Sequence, residues 1–587
     1  MCGIAGIVMR NGQPVDEARL DALARAIAHR GPDGVGRFVT GPVGLVNTRL
    51  AIIDLETGDQ PLFDAEGAVL VANGEIYNDP EIRAALAGAS YRTGSDCESP
   101  LQLYRSQGTD FVADLRGMYA IALYDPTTGK VVLARDPFGI KQLYYAETAE
   151  FFAFASEAQA LIAAGLAGPT LRPAARAELM QLKFTTGRET VFADIRRVLP
   201  GELLVLSAGE VSERRTRAAL PAGGPIPADD EALLRRLDEV LIDTVAHHLR
   251  SDVPYGLFLS GGIDSSVLVA LMARLTDQPV HAMTAGFPGG GDDETALARR
   301  VARAVGAEHQ VVEVTEADFW AFTPAVAAAL DDPTADAAAL PTWMLARAAR
   351  GRMTVVLSGE GADEVFGGYS RYRRAGLLGA LAGRSRTRGV FRGPLADAPA
   401  LKGWRDGLAR AEAAQAGQGR STMQRLQAVD CAEWLPNDLL VKLDRCLMAH
   451  GLEGRTPYLD PVVADFAFRL PGRAKVRGGL GKWLLREWLA RNVPAAEPFA
   501  RKTGFNPPMG AWIAARADRI AGLVAAQPGV AAFLPPDQVR AVIGDAARRG
   551  QAAWSLLFYA LWHSHHGLGV PADGAVDEVL EAAARAG

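Results

Sequence analysis

Three short stretches hold residue types whose spacing could do chemistry: "YGLFLSGGIDSS" (255–266), "VVLSGEGADEVFGGY" (355–369) and the opening "MCGIAGIV". In the first, an apolar run leads into Ser260, Gly261 and Gly262, and Asp264, Ser265 and Ser266 then open a helical pattern. Glycines let backbone amides approach a ligand, serine hydroxyls donate, and a helix N-terminus adds unpaired N–H groups and the positive end of a dipole. That combination is an anion cradle. It has neither the lysine of G-x-x-x-x-G-K-[ST] nor the spacing of G-x-G-x-x-G, so it is neither of those two nucleotide loops. Alone, S-G-G would read as a capped turn. The second stretch again sets glycines and acids at a strand end. The third puts one of only four cysteines in 587 residues directly behind Met1. Either Cys2 is incidental to the first strand or it becomes the N-terminal residue once Met1 is removed.

The elements around these stretches predict two domains, since single cores stop growing at roughly 250–300 residues. Over 2–205 short strands outnumber helices. "GIAGIVMR", "VGLVNTRLAIIDL", "AVLVANGEIYN", "MYAIALYDPTTGKVVLARD" and "QLYYAETAEFFAFAS" read as strands or hairpins, with helices at "DEARLDALARAIAHRG", 97–107 and 157–164. This is a layered α+β pattern. Residues 206–230 lose periodicity and gather Pro, Gly and charge, and read as a linker. From 231 to 525 strands and helices alternate, which predicts an α/β domain with a doubly wound parallel sheet, its ligands at the carboxyl ends of the strands. A helical C-terminal part occupies 526–587.

Composition excludes several classes. Hydrophobic residues make up 49% and charged ones 22%, enough to fill large cores. A net charge of -6 gives no reason to expect nucleic acid or an anionic membrane as partner. The basic run at Arg384, Arg386, Arg388 and Arg392 is short and reads as a solvated loop. Cys2, Cys97, Cys431 and Cys446 have neither metal-ligand spacing nor a disulfide framework, which suits a reducing compartment. No run nears the roughly 18 apolar residues of a membrane span, so a soluble, cytoplasmic protein is expected.

The stretch "SGGIDSS" resembles the pyrophosphate loop of ATP pyrophosphatases, which adenylate a substrate at the expense of ATP. "VVLSGEGADEVFGGY", "KLDRCLMAHGLEGRTPYLD" (442–460), "GKWLLREWL" (481–489) and "RKTGFNPP" (501–508) resemble the glutamine-dependent asparagine synthetases. The resemblance implies that 260–266 cradle pyrophosphate, and that Leu259, Ala285, Ser358 and Gly359 lie against the nucleotide. It implies that Asp264 and Asp363 hold Mg²⁺, that Lys482 neutralises the leaving pyrophosphate, and that Glu360 takes a proton from attacking ammonia.

The first domain is similar to class II, N-terminal-nucleophile glutaminases, on "MCGIAGIV", "HRGPDG", "TRLAIIDL", "NGEIYN", "TGSDCE" and "RDPFGIKQLYY". Such a domain implies αββα layers and answers the question of Cys2. Removing Met1 leaves an α-amine, reference pKa about 7.7–8.0, beside a thiol near 8.5, so one residue supplies base and nucleophile. By the same resemblance the Asn73 side chain and Gly74 N–H form an oxyanion hole, Arg49 takes the glutamine α-carboxylate, Glu75 and Asp96 its ammonium, and Leu50, Ala51, Ile52 and Ile53 complete the pocket. Cys97 cannot become N-terminal and reads as packing.

Three departures stand out: Gln142 where the family has proline, "GLEGRTPYLD" for "SLExRxPFLD", and "DDPTADAAALP" without the serine of "ADPSAIP". The last two lie where the acceptor would bind. The expected reaction uses glutamine, aspartate and ATP to make asparagine, in a homodimer by family analogy. An amidotransferase for another carboxylate stays open, and a cyclase, a ligand sensor and a fused isomerase fit the intact motifs less well.

Overall fold

The computed structural model describes residues 2–288, 294–378, 388–392, 395–396, 398–500 and 507–586. Arg384, Arg386 and most of "RKTGFNPP" lie outside the described residues, while Arg388 and Arg392 are exposed. The first domain's strands are Cys2–Met9 (β1), Gly34–Thr40 (β2), Val43–Arg49 (β3), Leu62–Phe63 (β4), Val69–Ile76 (β5), Gly117–Asp125 (β6), Lys130–Arg135 (β7), Tyr144–Glu147 (β8), Phe151–Ala155 (β9), Arg196–Arg197 (β10), Glu202–Ser207 (β11) and Glu210–Thr216 (β12). They form two antiparallel sheets, ordered β10-β8-β9-β1-β3-β2 and β12-β11-β7-β6-β5-β4.

Alternation along each strand decides which faces meet. Ile4 and Val8 of β1 enter the gap between the sheets with Leu45, Val71, Ala120 and Phe152. Ala5 and Ile7 turn the other way, toward Leu20 and Leu23 of the helix Glu17–Ala26. In β5, Val69 and Val71 face the gap, while Leu70 and Ala72 face Leu101 and Tyr104 of the helix Ser99–Gln107. The layers are therefore helix, sheet, sheet, helix. Continued to the strand ends, the same period of two turns Cys2, Arg49, Asn73 and Glu75 inward.

The stretch read as a linker differs from that expectation at its start. Residues 206–216 continue β11 and form β12, which closes the second sheet as an edge strand. Glu210, Glu213, Arg214 and Arg215 make it look like linker, because exposed edges carry charge that discourages further pairing.

The second sheet system is parallel: Tyr255–Phe258 (β13), His281–Gly286 (β14), Glu308–Glu313 (β15), Val355–Leu357 (β16) and Glu453–Arg455 (β17), ordered β15-β14-β13-β16-β17. The order reverses between β13 and β16, so the loops after these two strands open together at a topological switch point. Beyond residue 420 the chain is mainly helical. The helix Ala546–His566 carries Trp554 and Trp562, whose indole N–H groups donate to the carbonyls of Ala335 (3.0 Å) and Leu330 (2.9 Å). The C-terminal helices thus buttress 330–336 from behind.

That segment is also fastened to the first domain. Asp332, buried, accepts two bonds from Arg197 at 2.7 Å each and one from the Tyr144 hydroxyl at 2.9 Å. Removing one partner of a buried pair leaves the other charge uncompensated, at about 3–5 kcal/mol. Arg197→Met is therefore expected to lower stability by about that amount in urea denaturation, and adding Asp332→Asn should recover part of it. A loss below about 1 kcal/mol, as for an exposed pair, would contradict the assignment.

Candidate active sites

The first site lies at the inward ends of β1, β3 and β5. Cys2 pairs in register with Arg49, and its backbone N lies 3.2 Å from Asn73 Oδ1. Asn73 is fully buried and its Nδ2 has no hydrogen-bond partner, so a donor points into the site unused. Gly74 is paired with Tyr119 on β6, and the Tyr119 N–H and C=O both bond Asp136 on the opposite side. Gly74 must then turn its own N–H and C=O away from β6, and the carbonyl receives the Cys97 thiol at 3.6 Å. Asn73 Nδ2 and the Gly74 N–H are thus two donors at the Cys2 end of β1.

Arg49 donates to Asp59 at 2.8 Å and to the carbonyls of Ile53 and Asp54, which folds the 50–59 loop beneath the site. Leu50 and Ile52 put their side chains into a core shared with the second domain, alongside Phe138, Ile140 and Leu257, with Ile53 packed at its margin. The Ala51 N–H donates to Asp33. Of these four residues, then, three serve the domain contact through their side chains.

Two buried acids sit opposite. Burial, together with Asp96 and Glu453, pushes the Glu75 carboxyl well above its ordinary value. Burial likewise raises Asp96, to about 6, against the hydrogen bond it accepts from the Ile76 N–H at 2.5 Å. A pair of acids held where ionisation is costly suits a site that receives a cation. Cys97 is buried, and burial with Asp96 and Glu75 drives its thiol toward the neutral form, in keeping with packing.

Sequence reasoning missed three contributors. Gln60 Nε2 lies 3.9 Å from Cys2 Sγ, and its Oε1 accepts from Asn47 Nδ2 (3.2 Å) and the Ala72 N–H (2.6 Å). Asn47 could have been found, since two residues before Arg49 it shares its face. Gln60 carried no signal. The third, Arg455, comes from β17 of the other domain and reaches Glu75 at 3.4 Å.

The second site occupies the switch point. Gly261 takes φ +72° at the turn after β13, and the helix Ile263–Leu275 starts at once. The Ser260 N–H donates to Ser265 Oγ, the Gly262 N–H donates to Ser260 Oγ, and Ser266 Oγ is buried without a partner. Across the opening, Lys482 Nζ stands 2.5 Å from Asp264 Oδ2 and 2.7 Å from Asp363 Oδ1. Burial would strip the proton from Lys482, but the two carboxylates outweigh it and hold its ammonium above the ordinary lysine value. Gly368 is required here: a Cβ would stand 1.7 Å from Asp363 Oδ1.

Ser260, Gly261, Gly262, Asp264, Asp363 and Lys482 line one cavity of 180 Å³. Leu259, Ala285, Ser358 and Gly359 are not among its lining residues and form the strand ends beneath: Leu259 bonds the Met283 carbonyl, Ala285 belongs to β14, and Ser358 N–H donates to the Arg455 carbonyl at 2.8 Å. Glu360 lies to the side, 3.0 Å from Lys442 Nζ. Two carboxylates converge on one cation position, with no third His, Cys, Asp or Glu completing a metal cluster among the described residues. This donor set fits Mg²⁺, which takes one or two protein carboxylates and draws its other ligands from phosphates and water.

A cysteine next to an unpartnered amide donor in one domain and a glycine- and serine-rich loop facing two acids and a lysine in the other suit an ATP-dependent glutamine amidotransferase. Comparison with known proteins agrees. Residues 1–216 match the glutamine amidotransferase domain family and 236–564 the asparagine synthase family. "Asparagine synthetase [glutamine-hydrolyzing] 1" of Bacillus subtilis (strain 168) is 31% identical, covering 96% of each chain. A "Putative asparagine synthetase [glutamine-hydrolyzing]" of Mycobacterium tuberculosis (strain ATCC 25618 / H37Rv) is 34% identical over 96% of this chain and 97% of its own. "Amidase chry2" of Gibberella zeae is 32% identical over 64% of this chain and 60% of its own. The chain belongs to the glutamine-hydrolysing asparagine synthetase family. Among the described residues no helix is long and apolar enough to cross a membrane.

Asp96 has a measurable signature. Its folded pKa of about 6 exceeds the value near 3.9 of an unfolded aspartate, so its ionisation weakens the fold as pH rises between the two. Asp96→Asn keeps an acceptor for the Ile76 N–H and removes the charge. The variant should match the parent near pH 4 and exceed its stability at pH 8 in urea denaturation. A variant less stable than the parent at pH 8 would contradict the shift.

Proposed function

We propose that the chain makes asparagine from aspartate, ATP and glutamine, with ammonia passing inside the protein. Removal of Met1 frees the Cys2 α-amine, which takes the thiol proton. The thiolate attacks the glutamine carboxamide, and the oxyanion is received by Asn73 Nδ2 and the Gly74 N–H. Arg49 holds the substrate carboxylate, Glu75 and Asp96 its ammonium, and the 50–53 backbone walls the pocket. Ammonia leaves first; water then releases glutamate from the thioester.

In the second site the aspartate side-chain carboxylate attacks the α-phosphorus of ATP and pyrophosphate departs. Ser260, Gly261, Gly262, Asp264, Ser265 and Ser266 cradle the phosphates, and Leu259, Ala285, Ser358 and Gly359 support the nucleotide. Lys482 neutralises the leaving group. Mg²⁺ held by Asp264 and Asp363 would screen the phosphate charge. Ammonia attacks the acyl carbon, Glu360 takes its proton, and AMP leaves. The observation that carries this reading is Lys482 bridging Asp264 and Asp363 above an anion cradle, in the chain that also sets Cys2 against an unpartnered Asn73 donor. The relatives' names support aspartate as acceptor. A cytoplasmic homodimer completes the proposal.

A second acceptor is favoured by one observation. The unusual segment 331–336 is not loose: Asp331, Asp332 and Asp336 are each ion-paired, which gives the acceptor side a fixed shape of its own. The test is mass-resolved product analysis with Mg-ATP, amide-¹⁵N glutamine and a mixture of carboxylates. Labelled asparagine with AMP and pyrophosphate is expected. A different labelled amide would keep the amidotransferase and overturn aspartate. In the same assay Cys2→Ala should lose glutamine-dependent synthesis and keep ammonia-dependent synthesis, whereas Asp264→Ala should lose both.

A further inference from the structure

Lys183 belongs to the first domain, at the end of the helix Pro173–Leu182, and its backbone sits at φ +81°. A left-handed conformation disfavours any residue with a Cβ and is usually given to Gly or Asn. Lysine is kept there, and its side chain crosses into the second domain. Its ammonium lies 3.4 Å from Asp438 and 3.9 Å from Asp336, and 4.8 Å from the centre of the Trp434 ring. Its backbone carbonyl accepts from the Ala335 N–H at 2.8 Å, so main chain and side chain fasten the same segment.

Asp336 has a second cation, Lys442, at 3.3 Å, and Lys442 in turn reaches Glu360 at 3.0 Å. The order is Lys183, Asp336, Lys442, Glu360, alternating in sign, with Lys442 buried and the other three partly buried. Asp438 joins it through Lys183 and a Thr334 hydroxyl bond. Lys442 is shared between Asp336 and Glu360. Its position depends on how much of the Asp336 and Asp438 charge is already neutralised, and Lys183 supplies that neutralisation. Without Lys183, the ammonium of Lys442 is drawn toward Asp336 and Asp438 and away from Glu360.

We infer that Lys183 is a positioning residue for Glu360: the first domain, through Asp336 and Lys442, sets the carboxylate that acts when ammonia attacks the acyl adenylate. This rests on the reading above, in which Glu360 takes the ammonia proton. It assigns the first domain a part in the synthetase step that is separate from supplying ammonia.

The test uses the full chain with ammonium as nitrogen donor, which bypasses Cys2. Single-turnover formation of pyrophosphate reports adenylation, and amide formation reports capture. Lys183→Met should slow capture by about 10- to 100-fold while the pyrophosphate burst and glutamine hydrolysis stay within about twofold, because only the capturing carboxylate is misplaced. Lys183→Arg keeps the charge and should restore most of the capture rate. Equal slowing of both steps, or no recovery in Lys183→Arg, would mean a merely structural lysine and overturn the inference. Unchanged capture in Lys183→Met would overturn it as well. The parent protein run beside them separates the two claims: no amide from the parent overturns the synthetase reading and this inference with it, whereas amide from the parent and from Lys183→Met alike overturns the inference alone.

Discussion

Everything in this protein depends on a set of charges buried where the two domains meet. Arg30 bonds Glu157 and Asp444 at 2.8 Å each, and Arg445 bonds Asp444 at 2.7 Å and Asp331 at 2.6 Å, with every one of these side chains at most 3% exposed. Burial alone would raise Asp444, but Arg30 and Arg445 bring it down to about 2. Buried ions are tolerable only when each finds its partners, so a displaced docking of the domains would strand several at once. The network therefore specifies one relative placement. Arg30 also donates to the Cys2 carbonyl at 3.3 Å, which ties strand β1 to the same joint.

From that placement follows a physical link between the two halves of the chain. Arg455 connects them: its guanidinium lies 3.4 Å from Glu75, and its carbonyl accepts from the Ser358 N–H at 2.8 Å at the strand ends beneath the second site. Strand β17 is three residues long, yet it joins the first site to the strand ends beneath the second. Lys183 makes a second crossing in the opposite direction, from the first domain to Asp336 and Asp438 of the second. The first site thus takes Arg455 from the other half of the chain.

Much of this was legible in the sequence because it is local. The turn and helix start at 260–266, the acids after β16 and the alternation in β1, β3 and β5 follow from neighbours in the chain and from a period of two. Domain order and the doubly wound sheet followed from alternating strands and helices. The edge strand β12 was hidden by its own charges, which serve to keep it unpaired. Strand β17 is too short to show a period, and it lay inside a stretch noticed only for its resemblance. The ionic joint was illegible for a different reason: Arg30 and Asp444 are 414 positions apart, and nothing in either neighbourhood distinguishes a buried pair from two surface charges. Leu50 and Ile52 likewise pack with residues of the second domain, which no local pattern announces.

The proposed activity requires that nitrogen pass between the two halves of the chain without entering the solvent. The most direct measurement is a competition: amide-¹⁵N glutamine with excess unlabelled ammonium in the medium, followed by the isotope content of the amide product. Product that stays ¹⁵N-labelled as outside ammonium is raised is what the locked arrangement predicts. Label that dilutes in proportion to the outside ammonium would mean that the released nitrogen equilibrates with solvent, and would contradict it.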